Sequence, residues 1–222
     1  MKKITVEDVK NSEKVRAYLE QSNKTLAVMG YTDHGLRHAA VVSNIAGEVL
    51  RDLNYDSRLV ELAEIAGYMH DIGNFVGRKL HYTSGAILAL DILSSLGMSD
   101  DEATTIAAAI GNHEEDIGVA VNEVSAALIL ADKSDVHRSR VRNKDEKTFD
   151  IHDRVNYSAL KSNIVVKNGD ERRITLEIII DTDISKVMEY FEIFLSRMVM
   201  CRNAAVHLNA EFKLVINDNE LL

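Results

Sequence analysis

The sequence predicts a mainly α protein: a helical bundle over residues 1–136, followed by a small C-terminal α+β appendage over 137–222. Three observations carry that reading. Six segments before residue 137 repeat apolar residues at helical spacing. The chain contains no proline, so nothing interrupts those helices. An Asn-Gly pair at 168–169 lies between two β-branched runs, the short-range signature of a hairpin. Hydrophobic residues make up 46% of the chain and aromatics only 5%, which describes a Leu, Ile, Val and Ala core packed between helices. At 222 residues the chain can bury one sizeable core with room for an appended subdomain.

From Ser12 to Met29, apolar residues at Val15, Tyr18, Leu19, Leu26 and Met29 outline a first helix, and Gly30 supplies a C-terminal cap. Thr32 or Asp33 can cap a second, whose inward stripe reads His38, Val41, Val42, Ile45 and Val49. After Asn54-Tyr55-Asp56-Ser57, a third stripe of Leu62, Ile65, Ala66 and Met69 runs into His70 and Asp71, and Gly73 stops it. His81 precedes a fourth helix with Ile87, Leu88, Ile92 and Leu96, closed by Gly97. Ser99 and Glu102 form a capping-box pattern for a fifth, whose stripe of Ala103, Ile106, Ala107 and Ile110 leads to His113. A sixth places Val124, Leu128, Ala131, Asp132 and Asp135 on one face.

From about residue 137 the texture changes. His137 to Lys147 is polar and basic, and Ile164-Val165-Val166 and Ile174 to Ile180 flank the Asn168-Gly169 turn. Ile184 to Val206 reads as a long amphipathic helix with Val187, Met188, Phe191, Phe194, Leu195 and Met198 inward, and Phe212 to Ile216 as a short last strand.

A formal charge of −9 argues against broad adhesion to nucleic acid or to an anionic membrane surface, because those partners are drawn by basic fields. A phosphorylated substrate then needs local positive charge. The single Cys201 excludes a disulfide framework and falls in an apolar helical pattern, as a small buried hydrophobe does. No apolar run reaches the roughly 20 residues of a membrane span, and the N-terminus lacks a secretory apolar segment, so the expected location is the cytoplasm.

The order His38, His70-Asp71, His81, His113, Asp132 is the arrangement a helical bundle needs to hold two divalent metals. The dipeptide alone is weak evidence, since about 0.6 His-Asp pairs are expected from composition. A lone histidine on an apolar helix face is more often a hydrogen-bonded core residue. Asp71 and Asp132 are different, because a buried carboxylate without a partner costs several kcal/mol and calls for a cation or a strong donor beside it. Imidazole and carboxylate suit Fe, Mn, Ni, Co or Zn, and the lack of thiolates argues against a structural zinc site. A second pair, His152-Asp153, sits in a polar stretch without helical periodicity and reads as a decoy.

The pieces HGLRHAAVV, GYMHDIGN and LILADKSD resemble the fingerprint of the HD-domain superfamily of metal-dependent phosphohydrolases over residues 31 to about 136. HYTSGAIL and IGNHEED look like the segments that supply extra histidines in its two-metal branch. The resemblance implies an HD-domain helical bundle in which His38, His70, Asp71 and Asp132 hold one metal, while Asp71 bridges to a second held by His81 and His113. Asn74 stands where the cyclic-dinucleotide phosphodiesterases of that branch carry a lysine. His34, one turn before His38, is a candidate general acid or third-metal ligand, and Glu114 a candidate for fixing an imidazole tautomer. Arg37, Lys79 and Lys133, each beside a ligand segment, are candidates for binding phosphate, with Arg138, Arg140 and Arg142 at the mouth.

Two metals about 3.5–4 Å apart activate a water and clamp both oxygens of an in-line displacement. The expected activity is therefore hydrolysis of a small phosphoester or nucleotide, phosphomonoester or phosphodiester, through a metal-bound hydroxide, with Asp71 and His34 as catalytic residues. A di-iron oxygenase of the same superfamily, cleaving a C–C or C–P bond, is the alternative. A vestigial metal domain acting as a sensor is a third. The expected partner is a small phosphorylated substrate, with no membrane and no general nucleic-acid binding; a homodimer is left open.

Overall fold

The computed structural model describes residues 3–115 and 117–221. Helix α1 (Val6–Lys10), which has no long apolar stripe to announce it, is held by a reciprocal cap between Thr5 and Asp8. It precedes α2 (Glu13–Val28), capped by Ser12. Met29 is half exposed rather than inward. Helix α3 (Leu36–Asp52) starts later than Thr32 or Asp33: Gly35 is its N-cap, and Asp33 accepts from the Gly35 amide instead.

Helix α4 (Ser57–Met69) ends on His70 as its C-cap, and a 3-10 turn at Ile72–Phe75 carries the chain away. Gly73 is therefore not the helix stop. Its backbone lies so close to the start of α5 that a Cβ would collide with the His81 carbonyl and the side chain of Ser84. A glycine there lets the turn carrying Asp71 touch the helix that begins with His81. Helix α5 (His81–Leu96) is closed by Gly97 in the left-handed region, α6 (Asp100–Gly111) is capped by Ser99, and α7 (Glu123–Ser134) by Asn122 with Ser125.

Helix α7 is the axis of the bundle. Every residue from Val124 to Ala131 is buried, because α3, α4, α6 and α9 (Val187–His207) pack around it. Helices α3 and α4 approach closely at Gly67, where a Cβ would sit 2.8 Å from the Cα of Ser43. That contact brings His38 on α3 beside His70 at the end of α4. Ile87 is exposed on α5, whose inward residues are Gly85, Ala89, Ile92 and Leu93.

After two short 3-10 turns, Arg138–Arg140 and Glu146–Thr148, comes α8 (Ile151–Ser158). The stretch expected to lack helical structure at His152-Asp153 is thus the first turn of a helix, capped by Asp150. Strands β1 (Ala159–Asn168) and β2 (Arg172–Ile180) form the hairpin around Asn168-Gly169. Asn168 pairs with Arg172, so residues 169–171 make the loop. Helix α9 then crosses back so that β3 (Glu211–Ile216) pairs parallel with β2, and β4 (Asn219–Glu220) closes antiparallel on β3. Among the described residues the sheet order is β1-β2-β3-β4. Helix α9 turns Tyr190, Phe194, Met198 and Cys201 inward and leaves Met188 and Leu195 exposed, contrary to the stripe expected from sequence. The fold is mainly α with a small C-terminal sheet. Among the described residues no helix is long and apolar enough to cross a membrane.

Candidate metal centre

Three helix ends meet in the bundle: His38 comes from the first turn of α3, His70 and Asp71 from the end of α4, and Asp132 from the last turn of α7. His38 Nε2 lies 3.2 Å from His70 Nε2, 3.6 Å from Asp71 Oδ2 and 3.4 Å from Asp132 Oδ1. His70 Nε2 lies 3.4 Å and 3.6 Å from the same two oxygens. For donors about 2.1 Å from a shared ion, ligand separations run from about 3.0 Å (octahedral neighbours) to about 3.4 Å (tetrahedral). The four atoms are spaced as an ion's ligands are.

A second group adjoins the first. His81, at the start of α5, places Nε2 3.7 Å from Asp71 Oδ1 and 3.2 Å from His113 Nε2, just beyond α6. The two oxygens of Asp71 therefore face the two groups, Oδ2 toward His38 and His70, Oδ1 toward His81. All four histidines are buried.

The outward nitrogen of each ring is already committed. Nδ1 of His70, His81 and His113 donates to the carbonyls of Gly67, Arg78 and Ile110 at 2.8, 3.0 and 2.6 Å. Nδ1 of His38 donates to Asp135 Oδ2 at 2.7 Å. With Nδ1 committed outward, each Nε2 points at the centre, the orientation a metal ligand needs once Nε2 carries no proton. Asp71 Oδ2 is buried and accepts no hydrogen bond among the described residues. A buried carboxylate oxygen left so is expensive unless a cation stands beside it. The donor set therefore fits a divalent ion.

Electrostatics in the ion-free protein agree. Burial opposes charge on His70, yet the carboxylates of Asp71 and Asp132 lift its pKa to about 10, so the cluster holds a proton where it lacks a metal. Burial lowers His81 to about 4 and holds His113 well below the usual histidine range, so both are neutral ligands.

Asp135, which sequence reasoning left without a role, is the main support of the site. It binds His38 and also takes a forked pair of hydrogen bonds from Arg37, at 2.8 and 3.1 Å. Arg37 is thereby a brace for Asp135 and not part of the cavity wall. The sequence signal was the i, i+3 spacing of Asp132 and Asp135 at the end of one apolar stripe. Asn74 donates to Asp71 Oδ1 at 2.6 Å, and Arg78 stands 3.1 Å from His81 Nε2; neither was singled out as a ligand-contacting residue.

Asp71, His113 and Asp132 of the centre line a cavity of about 400 Å³. His34, Lys133, Arg78, Arg140, Glu114 and Arg197 are on its walls. Lys133 is buried, with Nζ 2.7 Å from Asp132 Oδ2. His34 donates from Nδ1 to the Thr32 carbonyl, and burial lowers its pKa well below the usual value. Glu114 Oε2 is 3.4 Å from His81 Nε2. Lys79 is exposed outside the cavity wall, and of the expected mouth residues only Arg140 lines it. His152 and Asp153 lie outside the metal-spaced groups but on the rim of the same cavity. Cys201 is buried, its thiol pushed up to about 12 by burial.

The comparisons agree with this geometry. An uncharacterized protein of Methanocaldococcus jannaschii is 29% identical over 206 residues, covering 82% of this chain and 78% of its relative. The family model of the HD domain matches residues 35–157, more than half of the chain and all of the clustered ligands. The chain belongs to the HD-domain family, a superfamily of metal-dependent hydrolases that bind divalent ions.

Proposed function

We propose that the protein is a phosphohydrolase that acts on a small phosphoester or nucleotide, with His38, His70, Asp71 and Asp132 holding one divalent ion and Asp71, His81 and His113 forming a second half-site. The observation that carries this is the convergence of four Nε2 atoms and two carboxylates beside a cavity whose mixed charged wall includes Arg78, Lys133, Arg140 and Arg197. When bound, such ions lower the pKa of a water and neutralise phosphoryl oxygens. The chain's own residues do the rest.

Lys133, fixed by Asp132, presents a buried positive charge to a phosphoryl oxygen. Arg197, held by Glu115 at 2.5 Å, presents another from α9. His34 is neutral, with Nδ1 spent on Thr32, so its Nε2 can take a proton from an attacking water and return it to the leaving oxygen. A volume of about 400 Å³ lies at the small end of ligand sites, about 300–1,000 Å³, which favours a mononucleotide-sized substrate over a polymer.

The test is a panel of phosphomonoesters and phosphodiesters assayed with chelator-stripped protein reloaded with Mn2+, Fe2+, Co2+, Ni2+ or Zn2+. Phosphate or alcohol release that needs the metal and disappears in Asp71→Ala supports the reading. Absence of hydrolysis across the panel, with an oxygen-dependent optical change of the iron form, would replace it with di-iron oxygenase chemistry on the same ligands.

A further inference from the structure

The second half-site already has a cation beside it. Arg78, on the segment between the Ile72–Phe75 turn and α5, holds both nitrogens of His81. Its carbonyl takes the Nδ1 proton at 3.0 Å, and its Nη1 is 3.1 Å from Nε2. Because the Nδ1 proton is fixed on that carbonyl, Nε2 is an acceptor, and the guanidinium donates to the same lone pair that a metal would require. Nη1 also donates to Asn74 Oδ1 at 3.4 Å, while Asn74 in turn donates to Asp71 Oδ1 at 2.6 Å. Nη2 lies 3.5 Å from Glu114 Oε2, a buried oxygen with no hydrogen bond among the described residues. His81, Asn74 and Glu114, all beside the second half-site, are thus turned toward Arg78.

We infer that the Arg78 guanidinium and the second divalent ion are alternative occupants of the His81 half-site, so that a second ion binds only by displacing the arginine. One lone pair cannot serve an N–H donor and a metal together, and two cations within ligand distance repel. No guanidinium donates to the imidazoles of the first half-site: Nε2 of His38 and of His70 face each other, Asp71 Oδ2 and Asp132 Oδ1, while the Lys133 ammonium takes the other Asp132 oxygen. The two ions therefore bind with unequal affinity.

Displacement does not dismantle the ligand. His81 stays oriented by the backbone carbonyl of Arg78, which remains in place when the side chain swings. The guanidinium already lies at the cavity, over the ring of Tyr31 at 5.7 Å from its centre, so the open volume is beside it. Displaced into that volume, it would join Lys133 and Arg197 as positive charge for the substrate's phosphoryl group. Arg78 is thus a positioning residue that couples filling of the second half-site to the charge offered to substrate.

The inference rests on the phosphohydrolase reading for the identity of the centre, and its test reads metal binding rather than turnover. Metal-free full-length protein is titrated calorimetrically with Co2+ and Mn2+, and ions retained after desalting are counted by elemental analysis. Wild type is expected to show one tight and one weaker class. Arg78→Met and Arg78→Gln, which keep the stem and remove the guanidinium, are expected to tighten the second class by about tenfold or more with the first unchanged. His81→Ala should abolish the second class in either background. A second class unchanged in both arginine variants, while His81→Ala still removes it, overturns the inference and leaves the phosphohydrolase reading standing. Failure of all proteins to bind either ion overturns both.

Discussion

Replacing Asp135 with Asn probes how the fold prepares its first half-site. Asp135 touches no ion, yet its Oδ2 accepts the His38 Nδ1 proton at 2.7 Å, and Arg37 holds the carboxylate by a fork. The carboxylate makes His38 a more electron-rich ligand and fixes its ring. Asparagine keeps an oxygen that can accept the proton but loses the charge. Changes to such outer partners weaken metal binding by about 10- to 100-fold, or about 1.4–2.7 kcal/mol. The fold should suffer less from Arg37, whose side chain is 41% exposed and can turn to water, than from Arg140, 5% exposed and 3.7 Å from the lost charge. A stability loss of about 1–3 kcal/mol is expected from that buried guanidinium. Calorimetric titration of metal-free Asp135→Asn with Mn2+, beside thermal melts, reads both quantities. A folded variant whose tight class binds within about twofold of wild type would refute the idea that Asp135 tunes His38.

Four further outcomes follow from the same geometry. Since His70 keeps its proton up to about 10 in the ion-free protein, binding the first ion at neutral pH must expel about one proton, so affinity should rise with pH; titration in buffers of different ionisation heat measures it. The sign for folding is opposite: the stabilisation from this raised group is complete below the unfolded histidine pKa of about 6.5 and is lost as pH climbs toward 10, which melts of ion-free protein across that window would show. Gly73→Ala, which pushes a methyl into the start of α5, should cost about 1–3 kcal/mol and loosen the second class of ion, read by melting and by titration. Asp153→Ala should leave metal content unchanged and lower the KM for an anionic substrate by about two- to fivefold, because it removes a partly exposed negative charge from the cavity rim.

Much of the centre was legible because its ligands terminate or interrupt apolar stripes. His38, His70, Asp71 and Asp132 each broke a run of core positions with a group that is costly to bury, and His81 and His113 flanked such runs. The structure brings all six together. What escaped was whatever depends on tertiary approach. Asp135 is remote in sequence from the ring it supports, and Arg78 matters only because a short turn folds back over His81. Helix α8 was missed because its polar face borders the cavity and only Val155, Asn156 and Ser158 are buried, too few for a visible stripe. Ile87, Met188 and Leu195 misled in the opposite direction, since periodicity marks a face but does not say where a partner stops covering it. Gly73 was legible as punctuation, while its function as the point where two chain segments touch was not.

A crystal grown with Mn2+ and measured at the manganese absorption edge examines the centre itself. The geometry predicts an anomalous peak about 2.0–2.3 Å from His38 Nε2, His70 Nε2, an oxygen of Asp71 and an oxygen of Asp132, with any weaker second peak between Asp71, His81 and His113. Manganese bound elsewhere on the molecule, with those four side chains bare, would contradict the assignment of this cluster as the metal centre.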